Sequence, residues 1–150
     1  MHPLAWEAYI KAGLPADRIG QCIGNAAASA GTHAKDGEFE GHDYAACTDF
    51  HIADLSDAEV HGLCAQLAGA GFCPYFRKPG ADGWPCQDAR HVHAIWPGCA
   101  MKRIVRSQVH SYLADRNGLV SNAPYPFRPP TEAECDIARA AFLAHNPMDG

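Results

Sequence analysis

The sequence predicts an α+β domain in which a small antiparallel sheet is flanked by helices, grouped on one of its sides. Three observations lead there. Apolar residues recur at helical spacing in several blocks, two of them opened by capping boxes. Between the blocks lie short runs suited to strands rather than helices. Helices and strands alternate too irregularly for a parallel sheet, and no GxGxxG, phosphate loop or internal repeat is present.

Taken in order, Trp6, Tyr9, Ile10 and Leu14 predict a short amphipathic helix ending before Pro15. A second helix is expected over 17–28, where Ile19, Cys22, Ile23 and Ala26 share a helical face. A strand is expected over 45–52. Ser56-Asp57-Ala58-Glu59 is a capping box, and Val60, Leu63, Cys64 and Leu67 continue its helix until Gly69 and Gly71. Strands follow over 72–77 and 91–96, separated by a turn or loop at 78–83. Met101, Val105, Val109 and Tyr112 mark a further helix, closed by Asn117-Gly118. After Pro129-Pro130, Thr131 and Glu134 open the last one, which carries Cys135, Ala138 and Phe142.

Composition bounds the function. The 150 residues amount to one domain, 1–150, and 47% apolar with 19% charged residues is ordinary for a soluble globular chain. A formal charge of -5 and the lack of any Lys/Arg run argue against nucleic acid as partner. No segment reaches the length of a membrane span, and no secretory signal is visible at the N-terminus. The seven cysteines include no CxxC, which argues against a cysteine-based zinc site and leaves their redox state open.

The nine histidines are the unusual feature, and two clusters stand out. Gly41 to Ile52 reads GHDYAACTDFHI, and Ala89 to Trp96 reads ARHVHAIW. On a strand His91 and His93 project from one face, with Val92 packed behind. Imidazole and carboxylate are good ligands for Zn²⁺, and a catalytic zinc takes three of them. His42 and Asp49 lie seven apart, so the chain must bend between them to bring both to one ion; Ala45-Ala46 is small enough to allow it.

These residues resemble the zinc D-alanyl-D-alanine peptidase family, which shares its fold with the hedgehog signalling domain. The family's first motif, SxHxxGxAxD, aligns with Glu40, His42, Ala45, Cys47 and Asp49, without the leading Ser. Relatives with HxH bind zinc through the second histidine and keep the first in the catalytic cleft. The resemblance therefore implies one Zn²⁺ per chain held by His42, Asp49 and His93, with His91 catalytic. Where many relatives place an acidic general base, three residues before the last ligand, this chain has Arg90; that leaves His91 as base, or Asp88 if the strand is bulged. The upstream Arg that holds a terminal carboxylate in carboxypeptidase relatives has no counterpart around 25–28, so endopeptidase action or another amide substrate stands beside carboxypeptidase action. The implied reaction is hydrolysis of peptide bonds, in peptidoglycan stem or cross-link peptides, by a metal-activated water. A metal-binding module without hydrolysis is the alternative. A cell-wall substrate would place the protein outside the cytoplasm or have it released by a phage.

Other residues carry secondary expectations. Arg77 and Lys78 stand at a strand end, where they can face an anionic substrate. His51 is expected to be structural or to support a ligand, and His33 to be a solvated loop residue. Cys47 is read as a packed small residue rather than a nucleophile, and Trp84 and Trp96 as core or cleft wall.

Overall fold

Strands β1 (Ile19–Gln21), β4 (Cys47–His51), β6 (His91–Ile95) and β5 (Cys73–Arg77) lie side by side in that order, all neighbours antiparallel. They come from a computed structural model that describes residues 1–24, 31–79, 84 and 89–147. Asp49 stands opposite His93, and His51 opposite His91. On the other side of β6, Tyr75 stands opposite His93 and Arg77 opposite His91. Alternate residues share a face. One face thus gathers Asp49, His51, Tyr75, Arg77, His91 and His93; the other gathers Phe50, Phe76, Val92 and Ala94.

The apolar face builds the core. Phe50, Phe76, Val92 and Ala94 are at most 1% exposed, and burying each of the larger ones contributes about 1.5–3 kcal/mol. Helix α2 (Asp57–Gly69) packs here against β5 and β6 and buries Val60, Leu63, Cys64 and Leu67, as the spacing predicts. Its capping box is formed, with Ser56 Oγ accepting from the Glu59 amide and Glu59 accepting from the Ser56 amide. Helix α1 (Pro3–Lys11) adds Tyr9, whose ring stacks on Phe50 with centroids 5.3 Å apart.

The expected grouping of helices on one side does not hold. Helix α3 (Arg103–Leu113) lies on the polar face, where the Tyr75 hydroxyl donates to the Gln108 carbonyl at 2.8 Å and the Tyr75 ring meets Tyr112 edge-on. Helix α4 (Glu132–His145), started by the Thr131 capping box, packs on α3 through Phe142 and His110. The architecture remains α+β, with four α-helices among the described residues around a small antiparallel sheet. Edge strand β5 is covered by the segment after α3, whose Tyr125 hydroxyl accepts from the Phe76 amide at 2.6 Å.

One local expectation fails, and one element appears where none was expected, each for an identifiable reason. The helix expected over 17–28 is replaced by a 3₁₀ turn, Ala16–Arg18, and by β1; residues 25–28 lie outside those described. Pairing of Ile19 and Gln21 with β4 outweighs a helical pattern weakened by Gly20. At Gly20 a Cβ would sit 3.0 Å from the His51 ring, so the bare backbone is what lets that ring lie over β1. The second difference is a hairpin, β2 (Gly37–Phe39) and β3 (His42–Tyr44), whose two-residue turn places Glu40 at φ +51° and Gly41 at φ +79°. Positive φ at both central residues is the type I′ geometry that matches strand twist.

The six described cysteines are free, and Cys86 lies outside the described residues. Cys47, Cys64, Cys73 and Cys99 are buried core residues. No helix among the described residues is long and apolar enough to cross a membrane.

Candidate metal centre

Strand register brings Asp49 and His93 side by side, and a loop brings a third group to them. His93 Nδ1 lies 2.9 Å from Asp49 Oδ1, and His33 Nε2 lies 3.1 Å from the same oxygen. The three ligating atoms all fall within 4.8 Å of one another. Ligands of a tetrahedral ion bonded at about 2.1 Å are themselves about 3.4 Å apart, so small movements suffice to seat an ion. His91 Nε2 approaches at 3.7 Å from Asp49 Oδ1, at the edge of the group.

The far nitrogen of each ring is already engaged. His33 Nδ1 is 3.1 Å from the Cys22 carbonyl, His91 Nδ1 is 3.0 Å from the Ala89 carbonyl, and His93 Nε2 is 3.2 Å from Gln108 Oε1. Those oxygens only accept, as Asp49 Oδ1 does, so a neutral ring has one hydrogen for two acceptors and can place it on the outer nitrogen. A neutral ring then turns its lone pair inward, toward the Asp49 carboxylate. Inward lone pairs facing an anion require either additional protons or a cation between them. Burial is the main influence on His93, which is 4% exposed; it lowers the pKa and outweighs the opposing pull of Asp49. Burial alone would raise Asp49, but the ring contacts of His33 and His93 outweigh it and hold the carboxyl well below its usual range. A neutral imidazole beside an ionised carboxylate is the state in which these groups bind metal.

His33 reaches the site because its loop is tied at both ends. Gly24 N donates to the His33 carbonyl at 3.0 Å. On the other side the fully buried Asp36 carboxylate accepts from the Ala46 amide, the Lys102 amide (both 2.8 Å) and Lys102 Nζ (3.1 Å). Lys102 Nζ also donates to the Ala34 carbonyl at 2.6 Å. The loop is thereby fastened to the entry of β4 and the start of α3. Far from being a solvated loop residue, His33 is 4% exposed.

His42, expected as the first ligand, is not brought to the group. It is exposed on β3 opposite Phe39, just past the tight turn. The β2–β3 hairpin is inserted between the loop and β4, so counting back from Asp49 along the sequence lands on the hairpin instead of on His33. The Glu40-Gly41 pair was the available signal: a hairpin turn there moves the first histidine upstream.

A cleft of about 250 Å³ opens over the group, lined also by Arg77, Trp84, His91, Gln108 and Leu119. The buried Arg77 guanidinium donates to the Asn117 carbonyl at 2.7 Å and lies over the Tyr75 ring, 4.4 Å from its centroid. Trp84 meets His91 edge-on, centroids 5.3 Å apart, and so forms cleft wall. Trp96 instead packs on Phe72. Lys78, one residue beyond Arg77, faces the other side of the sheet and pairs with Asp57 at 2.6 Å, away from the cleft. Arg90 shares that side, bonded to the Leu55 carbonyl and Asp57. Asp88 lies outside the described residues. Cys47 does not line the cleft, and burial pushes its thiol well above the usual range, which removes the thiolate a nucleophile needs. His51 is exposed beside His91 and is not among the three grouped residues.

The arrangement is one that can hold a metal ion through two imidazoles and a carboxylate, with a cleft on one side. The chain has no significant match among family models, curated proteins or solved structures.

Proposed function

We propose that His33, Asp49 and His93 hold one Zn²⁺ and that the chain hydrolyses amide bonds in peptides, with peptidoglycan stem or cross-link peptides as the substrate class. The observation that supports this most is the convergence of inward-facing imidazole nitrogens on Asp49 Oδ1, each ring's other nitrogen being engaged by a carbonyl-type oxygen. Mixed nitrogen and carboxylate donors suit zinc, and three protein ligands beside a cleft match a hydrolytic rather than a structural site. With His42 outside the group, what remains of the resemblance to the D-alanyl-D-alanine peptidase and hedgehog fold rests on Asp49, His91 and His93; His33 is a ligand of this chain's own, outside that motif.

Bound zinc would supply Lewis acidity toward water and the scissile carbonyl. The chain's own residues supply the rest. His91, with Nδ1–H held by Ala89, has Nε2 available to take a proton from water and return it to the leaving amine. Trp84 buttresses its ring. Arg77 lines the cleft from a buried position, bonded to the Asn117 carbonyl, so its permanent charge favours negative charge developing in the cleft through its field. Such a substrate implies action outside the cytoplasm.

One observation favours a second reading, a metal-binding module without turnover. Among the described residues lining the cleft, Asp49 is the sole carboxylate, and Arg90 is turned away. Zinc analysis with an amine-release assay on peptidoglycan fragments separates the two. Hydrolysis predicts about one zinc per chain, with release abolished in His91→Ala although zinc is retained. Zinc binding with no release in the wild type favours the module.

A further inference from the structure

Helix α3 buries Val105, Gln108, Val109 and Tyr112 on one stripe, and Gln108 is the polar member, 8% exposed. A buried carboxamide is costly unless its atoms are bonded. Its Nε2 points to the Gly118 carbonyl at 3.5 Å, and its Oε1 lies 3.2 Å from His93 Nε2. Because the Gly118 oxygen can only accept, the amide nitrogen is the end that faces it, and the oxygen is left for His93. Its backbone carbonyl accepts from the hydroxyl of Tyr75, the residue directly opposite His93 in the sheet. Helix and strand are thus pinned together at the level of the site.

We infer that Gln108 is a positioning residue: it holds the hydrogen of His93 on Nε2 and so presents Nδ1, unprotonated, to the metal. This rests on the metal reading above. Without an acceptor at 108, the His93 N–H is buried and unsatisfied on one side, and the other tautomer places a hydrogen between Nδ1 and the ion. Outer partners of metal-binding histidines typically contribute about 10–100-fold in metal affinity. Gln108 touches neither the reacting bond nor the metal; its effect passes through His93.

The test is a competition titration of the full chain with Zn²⁺ and a chromophoric chelator, together with long-range ¹⁵N NMR of the histidine rings. Gln108→Met, which fills the space without an acceptor, weakens zinc binding about 10–100-fold. Gln108→Glu, which keeps an acceptor, restores most of it. In the wild-type zinc form the His93 ring carries its proton on Nε2, a signature that loss of packing alone does not produce and that needs no variant to fold. Wild-type affinity in Gln108→Met, or a proton on Nδ1 in the wild-type zinc form, overturns the role of Gln108 alone. A wild-type protein that binds no zinc overturns the metal reading itself.

Discussion

His33 Nε2 lies 3.1 Å from Asp49 Oδ1 although a complete β-hairpin separates the two residues in the chain. The hairpin loops out between them, and the loop that carries His33 is fastened both to it, by the Asp36 amide donating to the Tyr44 carbonyl, and beyond it, through Asp36 to Ala46 and Lys102. That relationship decides which histidine completes the site, and it can be tested by substitution. His33→Ala should lose zinc affinity by more than the roughly 10–100-fold that removal of an outer partner costs. His42→Ala should bind zinc as the wild type does. Isothermal titration of the two variants reads the difference, and the opposite ranking would return His42 to the site.

The fastening of the loop gives a stability prediction. The Asp36 side chain is fully buried and accepts three hydrogen bonds, so Asp36→Ala leaves the Ala46 and Lys102 amides without their acceptor and the Lys102 ammonium with only the Ala34 carbonyl. Removing one partner of a buried ion pair costs about 3–5 kcal/mol; because Lys102 is partly exposed, about 3 kcal/mol is expected. Urea unfolding measures the loss. Zinc affinity should fall in the same variant, since the Ala34 tether weakens with it.

Acid should destabilise the metal-free protein in two stages. Burial lowers His93 below its ordinary value of 6.5 in spite of Asp49. As the pH falls through about 6.5 the unfolded chain takes up a proton that the folded one refuses, so stability declines until His93 itself protonates. For Asp49, burial acts upward but the contacts to His33 and His93 win, leaving it below 3.8. Its contribution is present above that value and is lost as the pH falls through the lower folded pKa. Melting temperatures across this range should therefore fall from near neutrality downward. His93→Gln should flatten the upper part of the decline; an unchanged profile would contradict the assignment.

Gly118 supports the site from behind. It has φ +65°, and a Cβ there would lie 3.0 Å from the Tyr75 hydroxyl oxygen. Gly118→Ala combines left-handed backbone, about 1–2 kcal/mol, with displacement of the hydroxyl that bonds Gln108. A loss of at least that size in urea unfolding is expected, with weaker zinc binding; wild-type stability would show that the approach is not tight.

Much of this architecture was legible in the residues. Ser56 and Thr131 announce their helices because a capping box is a local arrangement, complete within four residues. His91 and His93 share a face because a strand has period two, and the same parity turns Lys78 and Arg90 away from Arg77 and His91. Pairing between strands is not local, and that is where sequence reading stopped. Ile19 and Gln21 join the sheet because β4 offers an edge, which no pattern within 17–28 displays. His42 has the spacing from Asp49 along the chain that the resemblance implies for the first ligand, whereas His33 has the position in space. Gln108, on a helical stripe otherwise made of apolar and aromatic residues, carries no local signal, because its partner His93 comes from a different element.

Whether one metal ion sits between His33, Asp49 and His93 is read straight from anomalous diffraction at the zinc edge on zinc-loaded crystals. A single peak is expected about 2.0–2.2 Å from His33 Nε2, Asp49 Oδ1 and His93 Nδ1. A peak at His42, or none at saturating zinc, would contradict it.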